Sequence, residues 1–119
     1  MTSHRLTLGR QGEELATAFL LTLGYQIIQR NFATRVGEID IVAADGDTLV
    51  FVEVRTRSRD DGISPLDSVT NEKRKQVRRV VSSFLAGAHY SHEQDLRIDV
   101  IGVIFSNDGA TIEHLKDAF

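Results

Sequence analysis

A chain of 119 residues with a net charge of −3 and 41% hydrophobic residues is sized for one domain, burying roughly 65–70% of its unfolded surface without covalent help. The lack of cysteine excludes disulfides and thiolate metal sites, and suits a cytoplasmic protein. No apolar stretch reaches membrane-span length: the longest, Leu15 to Leu23, follows Glu13-Glu14 and has no small-residue cleavage site after it, so neither a span nor a signal peptide is expected.

Residues 1 to 5 read as a loose terminus, and the first predicted element is a helix over about residues 11–23. Leu15, Phe19 and Leu23, with Ala16 and Leu20 beside them, recur at helical spacing. Gly24 is a natural stop, while Gly9 and Gly12 weaken the first turns. Glu13 and Glu14 near the helix start suit the positive end of its dipole, so capping is an ordinary role for both. A short strand over residues 25–30 (YQIIQR) and a loop over 31–36 follow.

The stretch GEIDIVAADGDTLVFVEVRTR, residues 37–57, reads as a β-hairpin: two runs of β-branched and apolar residues around the turn signal Asp45-Gly46-Asp47. Each run carries an acid among apolar neighbours, Asp40 in the first and Glu53 in the second. With a two-residue loop at Asp45 and Gly46, Asp40 faces Phe51 and Glu53 lies one step along on the same face. With a four-residue loop, Asp40 faces Glu53 directly. In both cases Arg55 joins that face. Two carboxylates and a cation on a largely apolar hairpin are costly without an ion or a ligand. Neutralisation by Arg55 is one solution. A divalent cation is the other, since hard ions such as Mg²⁺ take carboxylate oxygens, a backbone carbonyl and waters.

After Arg55, residues 56–64 (TRSRDDGIS) have no period and read as a polar loop before Pro65. The second helix is expected over about 71–86, with Thr70 as N-cap and Gly87 as stop. Val77, Val80, Val81, Phe84 and Leu85 form its apolar stripe. Lys73, Arg74, Lys75, Arg78 and Arg79 fill much of the rest, either as a solvated face or as a track for a phosphate backbone. Residues 55–79 hold eight basic and four acidic residues, a local +4 that leaves −7 elsewhere. His89 and His92 lack a third ligand nearby and do not make a metal site. Two strands close the chain, over 96–105 and 110–115, joined by Asn107-Asp108-Gly109. The helix before the first of these permits a parallel crossover, so a mixed sheet with helices packed on it is expected. Its core should include Leu15, Phe19, Ile28, Ile39, Ile41, Val50, Val52, Val54, Val81, Phe84, Ile98, Val100 and Ile104.

The αβββαβ order with Asp40 and then Glu53-Val54-Arg55 resembles the PD-(D/E)xK nuclease superfamily, the restriction-endonuclease-like fold that includes archaeal Holliday junction resolvases. The chain is more closely similar to the YraN-like family of small bacterial proteins, described largely as candidate endonucleases. Gly9-x-x-Gly12-Glu13, Arg30-Asn31, Gly37-Glu38-Ile39-Asp40, Phe51-Val52-Glu53-Val54, Lys73 and Arg97-Ile98-Asp99-Val100 carry the likeness across nearly the whole chain.

The resemblance implies a site. Asp40 and Glu53 would bind Mg²⁺ or Mn²⁺ with the Val54 carbonyl, and Glu13 would complete the metal shell. Arg55 departs from the pattern, which usually has lysine there. Arginine can grip a phosphate but cannot give up a proton. Lys73 is the candidate for a lysine displaced to a neighbouring element. The leading reading is a metal-dependent endonuclease on structured DNA, branched or junction forms, with DNA preferred over RNA and a homodimer possible by analogy. Arg57, Arg59, Lys73, Arg74, Lys75 and Arg78 would track its backbone. With no Trp and two Tyr, a platform for stacking single strands is not expected. Two readings compete: a nucleic-acid-binding module that has lost catalysis, and a scaffold whose cationic helix meets an acidic protein.

Overall fold

In the computed structural model of the chain, which describes residues 2–58, 67, 69–88, 90, 91 and 93–119 and the side chains from Leu8 onward, helix α1 (Thr2–Thr22) leads into three strands, β1 (Gln26–Thr34), β2 (Gly37–Asp45) and β3 (Thr48–Arg57). Helix α2 (Asn71–Ala88) follows, then β4 (Leu96–Ser106) and β5 (Gly109–Leu115). The five strands form one sheet in the order β1-β2-β3-β4-β5. Only β3 and β4 run parallel, because α2 is the crossover between them; the other neighbours are antiparallel. This is a mixed α/β fold with a helix on each face, compatible with a restriction-endonuclease-like core.

Helix α1 begins at Thr2, well before the expected residue 11, and ends where Gly24 turns to φ +86°. Gly24 N–H bonds the Leu21 carbonyl (3.0 Å) and Tyr25 N–H bonds that of Leu20 (3.1 Å), the paired bonds of a Schellman stop. Buried Leu20 and Tyr25 then join one core layer beneath α1, with Ala16, Ile41, Val52 and Ile101. Leu15, expected in the core, is 36% exposed. The reason is Gly12: a Cβ there would lie 2.2 Å from Thr56 Oγ1, so the helix rests on β3 along its Gly12–Ala16–Leu20 column. Leu15 is turned off that column.

The layer beneath α2 gathers Ile39, Val42, Phe51, Val77, Val80 and Phe84, with Phe51 edge-on to Phe84 at 5.5 Å between centroids. Thr70 caps α2 as expected, its Oγ1 accepting from Lys73 N–H at 3.1 Å. Strand β1 is longer than expected, absorbing residues 31–34 from the predicted loop. It does so through a slip between Ile27 and Gln29, which leaves Ile28 41% exposed and out of the core, and through Asn31 at φ +54°. The β1–β2 ladder skips the position where Asn31 and Asp40 face each other. Alternation inverts there: Ile41 enters the α1 layer, but Ile39, two residues away, enters the α2 layer.

The β2–β3 turn has two residues, one position later than the two-residue loop considered from sequence, and its register is that of the four-residue alternative. Asp45 pairs with Thr48, so Gly46 and Asp47 alone make the turn, and Gly46 adopts φ +60° as primed hairpin turns require. The resulting register pairs Ile41 with Val52, which brings Asp40 opposite Glu53.

Candidate metal centre

Strand ladders end where side chains take over the backbone groups, and that happens at Asp40. Beyond the Ile41–Val52 pair the ladder stops, and the Val54 N–H donates to Asp40 Oδ2 at 2.7 Å in place of a β2 carbonyl. Both acids are buried at this notch, Asp40 to 7% and Glu53 to 8% exposure. Burial, and then the charge of Glu53, push the Asp40 carboxyl up to about 7, against the pull of the Val54 amide. Burial also raises Glu53, opposed by Lys73 and then Arg55. Lys73, from the first turn of α2, holds its Nζ 3.6 Å from Glu53 Oε2. That oxygen is buried and has no hydrogen-bond partner.

Glu13 follows Gly12 on α1, where the helix approaches Thr56, and its charge adds to the rise at Asp40. Burial raises the pKa of Glu13 itself, opposed by Arg30, reinforced by Glu38 and offset in part by the Asn31 side chain. Arg30 Nη2 stands 3.8 Å from Glu13 Oε1, while Nη1 bonds Glu14. Among the described residues, no three His, Cys, Asp or Glu side chains stand close enough together to hold a metal ion. The donor set still suits a hard divalent cation, which accepts two carboxylates, a carbonyl and waters. The orphaned Glu53 oxygen is the group such an ion would satisfy.

The expected cations separate. Lys73 joins the acids, and Arg55 acts on Glu53 with its own Nε buried and unpartnered. Lys75, Arg78 and Arg79 are exposed on α2. Arg74 is turned elsewhere: its Nη1 donates to the Ala118 carbonyl at 2.8 Å and its guanidinium lies 5.2 Å from the Phe119 ring centre. It takes part in the packing of the last residues, unlike the exposed cations expected with it on the phosphate track. Arg57 ends β3, half-buried. Arg59, His89, His92 and Pro65 lie outside the described residues.

The uncharacterised protein family UPF0102 matches residues 12–103. The chain belongs to this family. The YraN-like resemblance drawn from the motifs is to the same group. A UPF0102 protein of Chlorobium chlorochromatii is 47% identical over 118 residues, covering 94% of this chain and 90% of its own length. One from Geobacter metallireducens is 42% identical over 119 residues, covering 100% and 97%. One from Rhodococcus jostii is 40% identical over 120 residues, covering 98% and 99%. Asp40, Glu53, Lys73 and Glu13 all fall inside the span matched by the UPF0102 family.

Two features of this UPF0102 chain escaped the sequence reading. Glu38 adds its charge to Glu13, Asp40 and Glu53, although it was legible two residues before Asp40 on the same strand. The second is a fully buried aspartate on β4, in register with Val52 of β3. Asp99 accepts from Arg97 Nε (2.9 Å) and the Asp117 amide (3.0 Å), and lies 2.8 Å from His114 Nε2. Burial would raise its pKa, but the bonds from His114 and Arg97 hold it below the usual range. Arg97 also donates to Tyr25 Oη (2.6 Å) and Asp45 (3.2 Å). Every charge in this cluster is paired, as in a structural network. Among the described residues no helix is long and apolar enough to cross a membrane.

Proposed function

We propose that this chain is a divalent-metal-dependent endonuclease of the PD-(D/E)xK type, hydrolysing phosphodiester bonds in structured DNA such as branched or junction forms. The observation that carries the reading is the paired burial of Asp40 and Glu53 at a broken ladder, with a Glu53 oxygen that accepts no hydrogen bond and has the Lys73 ammonium 3.6 Å away. Burying two acids side by side is unfavourable without a cation to offset them. Asp40, Glu53 and the Val54 carbonyl would hold Mg²⁺ or Mn²⁺. When bound, such an ion supplies Lewis acidity to the phosphate and lowers the pKa of water.

The chain's own groups do the rest. Asp40 is fixed by the Val54 amide, so its free oxygen has a set direction. Lys73 sits on a capped helix turn, where its ammonium can hold a phosphate oxygen or exchange a proton, a role closed to arginine. Arg55, on the same strand as Glu53, would hold non-bridging oxygens. Lys75, Arg78 and Arg79 would follow the backbone away from the site.

In Mg²⁺ or Mn²⁺ the protein should cut labelled branched DNA, with Asp40→Asn and Glu53→Gln each lowering the rate by roughly a hundredfold or more. Lys73→Ala should do the same if the displaced lysine takes part. No cutting by the unaltered protein with either ion, or full activity in Asp40→Asn, would overturn the reading. Arg55, an arginine unable to give up a proton where the pattern usually has lysine, favours the alternative of a binding module that has lost catalysis. That alternative stands if the protein binds DNA in a salt-dependent manner and cuts none.

A further inference from the structure

The turn between β1 and β2, Arg35-Val36, projects at the same end of the sheet as Asp40 and Glu53. Val36 is 41% exposed; the other large exposed apolar side chains described belong to α1, the residue after it, β1 and the start of β4. A lone surface valine ordinarily means nothing. This one is held. Its amide donates to Thr34 Oγ1 at 3.2 Å, Thr34 Oγ1 donates to the Gly37 carbonyl at 3.1 Å, and Gln76 of α2 donates to the Val36 carbonyl. Gly37, at φ +152°, lies so close to Gln76 that a Cβ would meet it at 3.0 Å. The turn is thus bolted to the helix that carries Lys73. With Thr70, Glu72, Lys73, Gln76 and Arg79, Val36 lines an open groove of about 510 Å³.

The groove therefore joins the ammonium that touches Glu53, a second cation in Arg79, one acid in Glu72, and at its rim an apolar side chain on a braced backbone. Arg35 stands exposed beside that side chain. Cations suit phosphates, and an apolar surface beside them suits the flat face of a base. Side chains that wedge open an intact stack are usually larger than valine and work against the unstacking energy. Valine can cover a base whose neighbour is already missing, where that energy has been spent by the substrate.

Resting on the nuclease reading above, we propose that the Arg35-Val36 turn selects DNA in which stacking is interrupted next to the cleaved phosphate, at a fork, nick or junction, with Val36 covering the exposed base and Arg35 the adjoining phosphate. Intact duplex offers Val36 no surface and binds through the cations alone.

The test measures binding of labelled forked and continuous duplexes of equal length, in Ca²⁺ and by fluorescence anisotropy. The unaltered protein should prefer the fork, and Val36→Ser should shrink that preference by roughly five- to tenfold. Val36→Leu should keep it, and Leu23→Ser at the far end of α1 should leave it alone. A preference that survives Val36→Ser, or none in the unaltered protein, overturns the proposal while leaving the nuclease reading standing. Absence of binding to either DNA would overturn both.

Discussion

Asp40 keeps one oxygen on the Val54 amide and still has its pKa pushed up to about 7, because burial and the Glu53 charge outweigh one short hydrogen bond. An aspartate in the unfolded chain titrates near about 3.9. Between roughly pH 4 and pH 7 the unfolded chain therefore loses this proton while the folded chain keeps it. Stability of the ion-free protein falls as pH rises through that window, and the loss is complete above about pH 7. With a chelator at pH 8, Asp40→Asn should melt higher than the unaltered protein, by an amount corresponding to about 1–3 kcal/mol. At pH 4 the gap should close. Added Mn²⁺ should raise the melting point of the unaltered protein and not that of the variant. A variant that melts lower at pH 8 would show that the carboxylate is stabilising where it lies. The two acids were visible in the sequence because each interrupts an apolar strand. Glu38 was not singled out, since an exposed acid near a strand start is unremarkable until its neighbours are placed around it.

At the scale of elements, β2 to β5 were legible from residue type and turn signals and α2 from its period, β1 and α1 only in part. Leu15, Ala16, Phe19, Leu20 and Leu23 leave two helix columns apolar, so periodicity could not choose which one faces the sheet. The contact that decides is tertiary, Gly12 against Thr56. Gly12→Ala should force α1 and β3 apart and cost about 1–3 kcal/mol in thermal unfolding, although alanine is the better helix former. Adding Thr56→Ala removes the nearest atom and should recover a large part of that loss. A stabilised Gly12→Ala would mean that propensity wins and the contact is loose. The slip in β1 was hidden for a similar reason. Nothing local to Ile27, Ile28 and Gln29 marks it, and Asn31 at φ +54° only makes sense once its partner strand is present. Arg97, Asp99 and His114 look unrelated along the chain; β4 and β5 bring them together.

Across the whole molecule, charge is sorted by what each cation touches, which composition could not reveal. Arg74 is spent on Ala118 and Phe119, whereas Lys75, Arg78 and Arg79 face solvent. If nucleic acid runs along α2, Lys75→Ala with Arg78→Ala should lower the slope of log affinity against log salt by about 2. Arg74→Ala should leave that slope nearly unchanged and instead lower the melting temperature. Binding titrations over a range of salt, beside a thermal melt, separate the two. An Arg74→Ala slope change as large as that of an exposed cation would return Arg74 to the track.

The switch of sides between Ile39 and Ile41 has a mechanical outcome. Asp40 hangs on a backbone anchored above by one hydrophobic compartment and below by the other, like a peg driven through a board. A ligand that drew its carboxylate sideways would strain both compartments at once. Asp40 is accordingly held firm, and if the proposed site takes substrates of different shape, adjustment to them would fall to the groups around it, such as the long side chains of Lys73 and Arg55.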